Sequence, residues 1–582
     1  MKAPVPLLLT VQLFILFVIL CLTCANGQRT PWKNPEIFPL LKKIGSSANS
    51  GITTKVTPRG VAYLRDVGMR VINREIPKVR IPARIQQNLP GNLGTAAIWN
   101  IHVTQYWQPE SYKLTLTMPD LFTWSMKSFG VIAAGNWEAV LPIASRAASL
   151  PRFGGLLSTA LRTVGFQETN KLTGTWTATL RPMDYATNIR LGRAGNAYPH
   201  VHADSCVCQV HGFNVDVHNS NGLMAIALNF LNSMITQQVR PILPRQICAQ
   251  TSALINTRGN EMLSDLPLMI PMNADFVQQT SGRSVRRKRT AADDFQLSGG
   301  DILDLVHRVR SKDLILDLRL KTPPRVSSKN YVRTYHNGEI SWKGEGRTPF
   351  YPPNMPQTRD SKGMVQFYLS DYVLNSLLYH AHMHNLFSMK IDGKKSGNLR
   401  EQLKTTCDSF CIGDLLWPIQ EKYPNQNVEI WFNTRKMPTF LITKGRGVIA
   451  MTSDFNLYVI NQRTNRPTKV FDSTLNVVAQ MRIMFDGPSQ RLHGRLKITK
   501  LQIKLNEAAS LDNIDQGMAD DLALVAKEIL ERMGDKAMQT GVTIPHLRGW
   551  ELQTATLQLY EHYAVVEANM DVDDRFVHGL TG

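Results

Sequence analysis

Residues 213–248 read FNVDVHNSNGLMAIALNFLNSMITQQVRPILPRQIC, and within this stretch the spacing of apolar residues changes from that of a strand to that of a helix. The first five residues alternate apolar and polar side chains, as on a half-buried β-strand. A long helix is predicted after the polar turn at 219–221, bending or ending at Pro241 and Pro244, because proline cannot continue helical hydrogen bonding. One broad face of this helix is apolar, and its members are Leu223, Ile226, Ala227, Phe230, Leu231, Met234 and Ile235.

The rest of the chain repeats this combination of alternating strands and long helices. Helices are predicted after Thr57-Pro58, which supply an N-cap and a first-turn proline, and over 366–385. A long late helix is predicted at 522–533, and period-two strands are predicted at 112–118, 455–459, 475–485 and 556–566. The pattern indicates an α+β protein whose highly curved antiparallel sheets wrap around long helices.

Composition narrows the class of protein. The chain has 582 residues, of which 43% are hydrophobic and 19% charged, so it can bury large cores. Disordered, collagen-like and coiled-coil chains are excluded, and the length fits two large domains or about four small ones. Basic residues exceed acidic ones, 66 to 46, so the folded surface attracts polyanions such as nucleic acid, heparin-like sugars or anionic lipid.

The N-terminal segment predicts secretion. Lys2 precedes an apolar run from Leu7 to Leu22, and small residues follow up to Gly27. This pattern is typical of a cleaved secretory signal over residues 1–27, with an uncleaved signal anchor as the alternative. We therefore expect an extracellular protein, for which anionic lipid is a better partner than nucleic acid.

Five cysteines follow the predicted signal, and they are Cys206, Cys208, Cys248, Cys407 and Cys411. An odd number in an oxidising compartment leaves at least one thiol without an intrachain partner. Cys407 and Cys411 are candidates for a second, small-loop disulfide if their geometry permits it.

A histidine-rich segment surrounds the first two cysteines and suggests metal ligands. In a regular strand one face would carry His200, His202, Asp204, Cys206 and Cys208. The spacing matches no compact zinc pattern, and disulfide formation consumes thiolates, so a structural role is the favoured interpretation. His380, His382 and His384 raise the same question, and on the predicted helix only His380 and His384 share a face, so an exposed or capping role is the favoured interpretation.

A basic run lies between the two halves, consisting of Arg286, Arg287, Lys288 and Arg289. The surrounding residues are polar, as in a surface loop. In a secreted chain this run is a candidate site for a furin-like convertase, and an uncut basic loop is the equal alternative.

Several motifs occur in the order and spacing of a known family. They are GITTKVTPRGVAYL at 51–64, the pair Cys208 and Cys248 with LPLM at 266–269 after it, the prolines at 323–324, and MVQFYLSDY at 364–372. Over about residues 28–570 the chain resembles the secreted lipid-binding proteins related to bactericidal/permeability-increasing protein, lipopolysaccharide-binding protein and the plasma phospholipid and cholesteryl-ester transfer proteins.

The resemblance implies a two-domain boomerang of antiparallel β-barrels, each wrapped around long helices and joined by a central β-sheet. It also implies a disulfide between Cys208 and Cys248, although Cys206 lies close enough in sequence to be the partner instead. The corresponding boundaries are 1–27 for the signal peptide, 28–279 for the N-terminal lipid-binding barrel, 280–324 for the basic loop and linker, 325–570 for the C-terminal lipid-binding barrel and 571–582 for a tail.

The family architecture further implies an apolar lipid pocket beside the long helix of each barrel. Ordinary core packing is the alternative interpretation for every one of these side chains. The lipid-pocket candidates are Val61, Leu64, Leu223, Ala227, Phe230, Leu231, Met234, Leu522, Val525, Ile529 and Met533.

An insertion at 138–166 falls where the family has a short turn at the tip of the N-terminal barrel. Its mixture of apolar and arginine side chains suits a membrane interface, so we interpret it as a cationic wedge, with a loop folded onto the barrel as the alternative. The membrane-tip candidates are Lys127, Arg146, Arg152, Phe153 and Arg162.

The common catalytic and nucleotide-binding motifs are absent from the sequence, which argues against an enzyme and against a cofactor. We expect a secreted protein that captures lipopolysaccharide or phospholipid, at an anionic membrane surface, in innate antimicrobial defence. The alternative is a phospholipid or neutral-lipid transfer protein without an antimicrobial role. A zinc-dependent enzyme built on residues 200–208 is a remote third interpretation.

Overall fold

Antiparallel β-sheet dominates the computed structural model, which describes residues 39–81, 84–88, 94–141, 170–219, 225–272, 313–356, 361–392, 397–408, 410–486, 491–540, 542–543 and 550–572. Within these ranges the strands form sheets of eight, seven, six and three strands, and helices lie against them. The α+β class predicted from hydrophobic periodicity is therefore confirmed.

A strand and a capped helix open the fold. The first elements are α1 (Pro39–Ile44), β1 (Ile52–Val56) and α2 (Pro58–Glu75). The Thr57 side chain accepts a hydrogen bond from the Gly60 backbone N–H, and Pro58 occupies the first helical turn, as predicted. Glycine is required at position 60 because a Cβ there would lie 2.2 Å from the Met364 carbonyl oxygen.

The N-terminal sheet has the strand order β2-β4-β6-β7-β8, with β3 on β4, β5 on β6 and β9 on β7. Its strands are β2 (Arg80–Ile81), β3 (Ile85–Asn88), β4 (Thr95–Trp107), β5 (Ser111–Thr117), β6 (Leu121–Leu141), β7 (Asn170–Arg193), β8 (Pro199–Val210) and β9 (Phe213–Asn219). The strands predicted at 112–118 and from Phe213 correspond to β5 and β9.

The predicted long helix follows as α3 (Ala225–Ala253), and a π-helical turn (Leu254–Gly259) and α4 (Asn260–Ser264) extend it. Both prolines lie inside α3, so they interrupt its hydrogen bonding without ending it. A stripe of buried residues at four-residue spacing packs against the tryptophans of β6 and β7. The stripe consists of Ile235, Val239, Leu243 and Ile247.

A central sheet joins the two halves of the chain in the order β12-β13-β1-β15-β24-β23. Its later strands are β12 (Leu320–Val326), β13 (Val332–His336), β15 (Val365–Ser370), β23 (Trp550–Leu559) and β24 (Tyr563–Val572). β1 lies between β13 and β15, with Thr54 opposite Thr334 on one side and Phe367 on the other. A small sheet beside it contains β10 (Met269–Pro271), β11 (Leu314–Asp317) and β14 (Glu339–Trp342).

The C-terminal sheet has the order β16-β17-β19-β20-β21-β22, with β18 on β19. Its strands are β16 (Met389–Ile391), β17 (Asn427–Thr434), β18 (Thr439–Thr443), β19 (Arg446–Ile460), β20 (Pro467–Asp486), β21 (Arg491–Leu505) and β22 (Val542–Thr543). Its helices are α5 (Tyr372–Met383), α6 (Gly397–Gln402), α7 (Ile412–Leu415), α8 (Trp417–Lys422) and α9 (Gln516–Thr540).

Two predicted elements differ from the structure. The helix expected over 366–385 begins only with α5, because 365–370 form a strand paired on both edges and buried throughout. A short segment buried at every position shows no period-two alternation in its sequence, so its pattern fits a buried strand and a buried helix equally well. The strand expected at 556–566 is two strands, β23 and β24, joined by a turn in which His562 has a φ of 66°.

Among the described helices, none is both long enough and apolar enough to cross a membrane.

Candidate functional site

The histidine-rich strand β8 contains a bulge that divides it into two parts. Asn188 of β7 lies opposite Ser205, whereas the next residue, Ile189, lies opposite Ala203, so Asp204 is the extra residue. Before the bulge the exposed residues of β8 are even-numbered, and after it they are odd-numbered. The prediction that one face carries all five residues from His200 to Cys208 is therefore wrong, because a one-residue bulge turns the strand over.

The bulge separates the histidines from the cysteines. His200 and His202 are exposed, whereas Cys206 and Cys208 are half-buried and pack against the N-terminal core. The sulfur of Cys206 is also consumed by a disulfide bond. The geometry thus favours the structural interpretation of this segment over a metal site.

The N-terminal disulfide joins Cys206 to Cys248, with the two Cα atoms 5.5 Å apart. The pairing of Cys208 with Cys248, which the resemblance implied, is wrong in this structure. Spacing along the sequence could not decide whether Cys206 or Cys208 pairs with Cys248, because both cysteines lie on the side of β8 that faces α3. Cys208 is a free, half-buried thiol. Burial, with a smaller contribution from Asp184, raises its pKa to about 12, so the thiol stays protonated at neutral pH.

We call α3, the π-helical turn and α4 together the α3 unit (225–264). Its C-terminal segment is clamped to the free edge of β8. Asn256 accepts a hydrogen bond from the Ala203 backbone N–H at 2.8 Å. Asn260 accepts from the Val201 N–H and donates to the Val201 carbonyl, both at 2.8 Å. These side chains replace the strand partner that an edge strand lacks. The clamp fixes α3 against β8 on the Cys206 side of the cysteine pair.

A groove of about 710 Å³ opens between β8 and α3 beyond this clamp. The strand side contributes Cys206, Val207, Cys208 and Val210, and the helix side contributes Thr236, Gln237, Arg240, Pro241, Pro244, Arg245 and Cys248. We call this feature the β8–α3 groove.

Charge in the β8–α3 groove is of one sign. Arg240 and Arg245 are exposed, and the groove-lining residues include no carboxylate. Arginine binds phosphate or carboxylate through two parallel N–H groups, so this lining suits an anionic group. The groove therefore offers cationic side chains beside an apolar wall of proline and valine.

The prolines of α3 each remove one backbone donor from the helix. Pro241 and Pro244 have no N–H, so they cannot donate to the carbonyls of Gln237 and Arg240, four residues earlier. Both of these carbonyl-bearing residues line the groove. Hydroxyl or amide groups of a polar lipid headgroup can donate to such carbonyls.

A second cavity, of about 560 Å³, lies beside the small sheet and has a different character. Its lining carries charges of both signs: Arg319 pairs with Asp317 at 2.8 Å, and Glu339 accepts a hydrogen bond from Tyr372 at 2.8 Å. Burial also lowers the pKa of Lys321 in this cavity. A cavity with internally paired charges is less suited to an apolar chain than the β8–α3 groove.

The long helix of the second half, α9, is hydrogen-bonded to the edge strand β21 near its start and in its later turns. Glu531 accepts a hydrogen bond from the Ile498 N–H, and Asp535 accepts one from the Leu496 N–H, both at 3.0 Å. At the start of the helix, Gln516 bonds a backbone N–H and a backbone carbonyl of β21. Polar side chains near the start and in the later turns of α9 therefore satisfy backbone groups at the free edge of β21.

The C-terminal cysteines form the second disulfide that the sequence suggested, between Cys407 and Cys411. The Cys411 N–H donates to Asp414 at 3.0 Å and so begins α7. Cys407, Cys411 and Asp414 lie close enough together to hold a metal ion, but the disulfide consumes both thiolates.

The structure buries His380 and His382, so an exposed role is wrong for them, whereas His384 is the exposed C-cap residue of α5. His380 and His384 share a helical face, as predicted, and both contact β14. His380 lies 3.7 Å from Glu339, and His384 stacks on Trp342 with ring centroids 3.9 Å apart. These contacts connect α5 to the small sheet.

The described lipid-pocket candidates pack in cores. Val61 belongs to a buried cluster with Leu116, Val326 and Val332, and Leu522 belongs to the C-terminal core. Leu64 and Val525 are half-buried. The remaining candidates have side chains outside the described residues, and they are Leu223, Ala227, Phe230, Leu231, Met234, Ile529 and Met533. Their role in a lipid pocket stays a prediction.

Of the membrane-tip candidates, only Lys127 belongs to the described residues. Lys127 is exposed on β6 opposite Ser111, and β6 continues unbroken to Leu141. About 36 Å of extended strand separates Lys127 from the start of the insertion at 138, most of which lies outside the described residues, so its assignment to the tip stays a prediction. The other candidates, and the basic run, lie outside the described residues: Arg146, Arg152, Phe153, Arg162, Arg286, Arg287, Lys288 and Arg289.

Sequence reasoning missed the two arginines of the β8–α3 groove. The signal was present as RPILPR at 240–245, where an arginine flanks each helical proline. The prolines were interpreted only as a bend, and the facing strand could not be identified from the sequence.

Comparison with protein families agrees with the earlier resemblance. The N-terminal domain model of the LBP / BPI / CETP family matches residues 60–266, and its C-terminal domain model matches residues 308–572.

Individual relatives are distant but extend over most of the chain. Lipopolysaccharide-binding protein of Homo sapiens is 20% identical over 532 residues, covering 90% of this chain and 94% of its own length. The Mus musculus protein of the same name is 22% identical over 470 residues, covering 79% and 81%. A crystal structure of lipopolysaccharide binding protein matches with 17% identity and a TM-score of 0.46, covering 90% of this chain and 100% of that one.

Proposed function

We propose that this chain, which belongs to the LBP / BPI / CETP family, is a secreted protein that captures anionic lipid in the β8–α3 groove in innate defence. Lipopolysaccharide and anionic phospholipid are the lipids that the relatives and the charge favour. The observation that carries the proposal is the pairing of Arg240 and Arg245 with an apolar wall in one groove of about 710 Å³.

Each part of the groove has a physical role in this function. Arg240 and Arg245 bind the phosphate groups, since charge-assisted bidentate bonds are among the strongest that proteins make. Val210 and the two prolines of α3 contact the adjoining acyl chains, for which each buried methylene contributes about 0.8 kcal/mol. Capture and release require no covalent step, so the function needs no catalytic residue.

The chain as a whole supports approach to an anionic surface. Its formal net charge of +20 at pH 7 attracts bilayers and micelles that carry phosphate. This long-range attraction is weakened by salt, whereas contact between a desolvated arginine and a phosphate is weakened less. General attraction and specific capture are therefore separable by experiment.

The test compares two double variants that remove equal charge. Arg240→Gln/Arg245→Gln should lower affinity for phosphatidylglycerol vesicles at least tenfold at physiological salt, measured by flotation or surface plasmon resonance. Arg463→Gln/Arg466→Gln, at exposed positions in the loop between β19 and β20, is the control and should retain most of the binding. Equal losses in the two variants would contradict a specific groove site and leave only general attraction.

Uncharged vesicles separate this function from its alternative. Binding of phosphatidylcholine vesicles with equal affinity, insensitive to salt, would favour a lipid-transfer protein without an antimicrobial role. Under the proposed function, phosphatidylglycerol competes for the protein and phosphatidylcholine does not.

A further inference from the structure

Three cysteines line the β8–α3 groove, although a disulfide needs only two. Cys206 and Cys208 lie on the same side of β8, and Cys248 faces them from α3. We propose that Cys248 exchanges its disulfide between Cys206 and Cys208, and that this exchange opens and closes the groove. The control of the groove rests on the proposed function, whereas the disulfide exchange does not.

The observed bond holds the Cα of Cys248 5.5 Å from that of Cys206, and Cys208 lies two residues farther along the same side of β8. Asn256 fixes the helix against Ala203, and about 12 Å of helix axis separates Asn256 from Cys248. Along the strand, with the extra bulge residue discounted, Cys206 lies about 7 Å and Cys208 about 13 Å from Ala203. Measured from the clamp, the position of Cys248 along α3 therefore falls between the positions of Cys206 and Cys208 along β8.

The exchange is balanced without an external oxidant or reductant. The Cys208 thiol loses its proton, and its thiolate attacks the Sγ of Cys248. A Cys208–Cys248 bond forms as the Cys206–Cys248 bond breaks, and Cys206 leaves as a thiolate that takes up the proton. One disulfide and one thiol exist before and after the step.

Burial controls the rate of this step. The Cys208 thiol is half-buried in the packed groove, where the thiolate is scarce at neutral pH. Higher pH, or entry of water into the groove, increases the thiolate fraction. The exchange should therefore be slow at rest and faster when the groove is hydrated.

The position of the bridge determines what the groove can hold. The Cys206 bridge lies at the end of the groove nearest the clamp, so the strand from Val207 to Val210 stays open. A bridge from Cys208 crosses the middle of the lining strand and divides the groove. The Cys206 form is thus the lipid-accepting form, and the Cys208 form is the closed one.

Two single variants trap the two forms. Cys208→Ser retains the observed bond, and Cys206→Ser leaves Cys208 as the partner on β8. Each is secreted as the full chain, alkylated under acid quench and mapped by non-reducing peptide mass spectrometry. We expect a Cys208–Cys248 peptide in Cys206→Ser and at least tenfold weaker binding to phosphatidylglycerol vesicles than in Cys208→Ser. Free Cys208 and Cys248 thiols in Cys206→Ser would overturn the exchange, and equal affinities would overturn the gating.

The unaltered protein provides a test that does not depend on the variants folding. Incubation between pH 7 and pH 9 should produce a Cys208–Cys248 peptide whose fraction approaches equilibrium faster at higher pH. Its absence throughout this range would overturn the exchange. If the unaltered protein and Cys208→Ser both fail to bind vesicles, the proposed function fails, and peptide mapping alone still decides whether the exchange occurs.

Discussion

The two long helices α3 and α9 cover the free edges of their sheets by different chemistry. α9 bonds the edge of β21 with Gln516 near its start and with Glu531 and Asp535 in its later turns. The α3 unit bonds β8 through Asn256 and Asn260, which lie beyond the helix, and through one disulfide. A helix held near one end leaves room for a groove, whereas a helix bonded near its start and in its later turns does not.

The two helices also differ in charge. The strand-facing bonds of α9 use carboxylates, which repel anionic headgroups, whereas α3 presents Arg240 and Arg245 to its groove. Under the proposed function, the N-terminal half takes up anionic lipid through the β8–α3 groove, whereas α9 presents carboxylates to the edge of β21 in the C-terminal half.

The largest expected effect comes from removing the tether of α3. Cys248→Ala should lower the free energy of unfolding by about 4 kcal/mol, because that disulfide joins residues 42 apart in sequence. Cys407→Ala/Cys411→Ala removes a bond between residues 4 apart and should cost about 2 kcal/mol. Urea unfolding followed by circular dichroism measures both. Equal losses would show that the Cys206–Cys248 bond stabilises the fold no more than the Cys407–Cys411 bond does.

The next effect concerns the central sheet that connects the halves. His336 is buried, and burial lowers its pKa from 6.5 to about 4. The unfolded chain therefore binds a proton that the folded chain does not, so stability falls as pH decreases from 6.5 towards 4, by about 3 kcal/mol. His336→Gln should remove this part of the slope in urea unfolding between pH 7 and pH 4.5. An unchanged slope would mean that His336 is protonated in the folded sheet.

The smallest effect tests the hydrogen bonds of α9. Glu531→Ala and Asp535→Ala leave the Ile498 and Leu496 N–H groups without partners, and each should cost about 1–2 kcal/mol. Hydrogen exchange at those two amides should accelerate correspondingly. Glu528→Ala is the control, because Glu528 pairs with Arg532 in solvent and its loss should cost under about 0.5 kcal/mol. Unchanged amide exchange in the first two variants would contradict the claim that carboxylates of α9 bond the edge of β21.

Hydrophobic periodicity determined much of the fold in advance. The alternation at Phe213, Val215 and Val217, the α3 pattern and the Thr57-Pro58 cap each specify local backbone structure, and each is confirmed. The segment 365–370 was not predicted as a strand, because a strand buried on both faces has no exposed polar face to reveal its period. The tip role of Lys127 stays a prediction, because most of the insertion lies outside the described residues.

The sequence by itself determined the class of fold, the cysteine inventory and the positive charge, since these follow from local pattern and composition. Only the tertiary structure decided that Cys206 is the partner of Cys248, because the bulge at Asp204 is a property of how β8 pairs with β7. It also decided that Arg240 and Arg245 face a groove, because that depends on which strand α3 packs against. Contacts between distant segments are set by packing and register, and no local pattern encodes them.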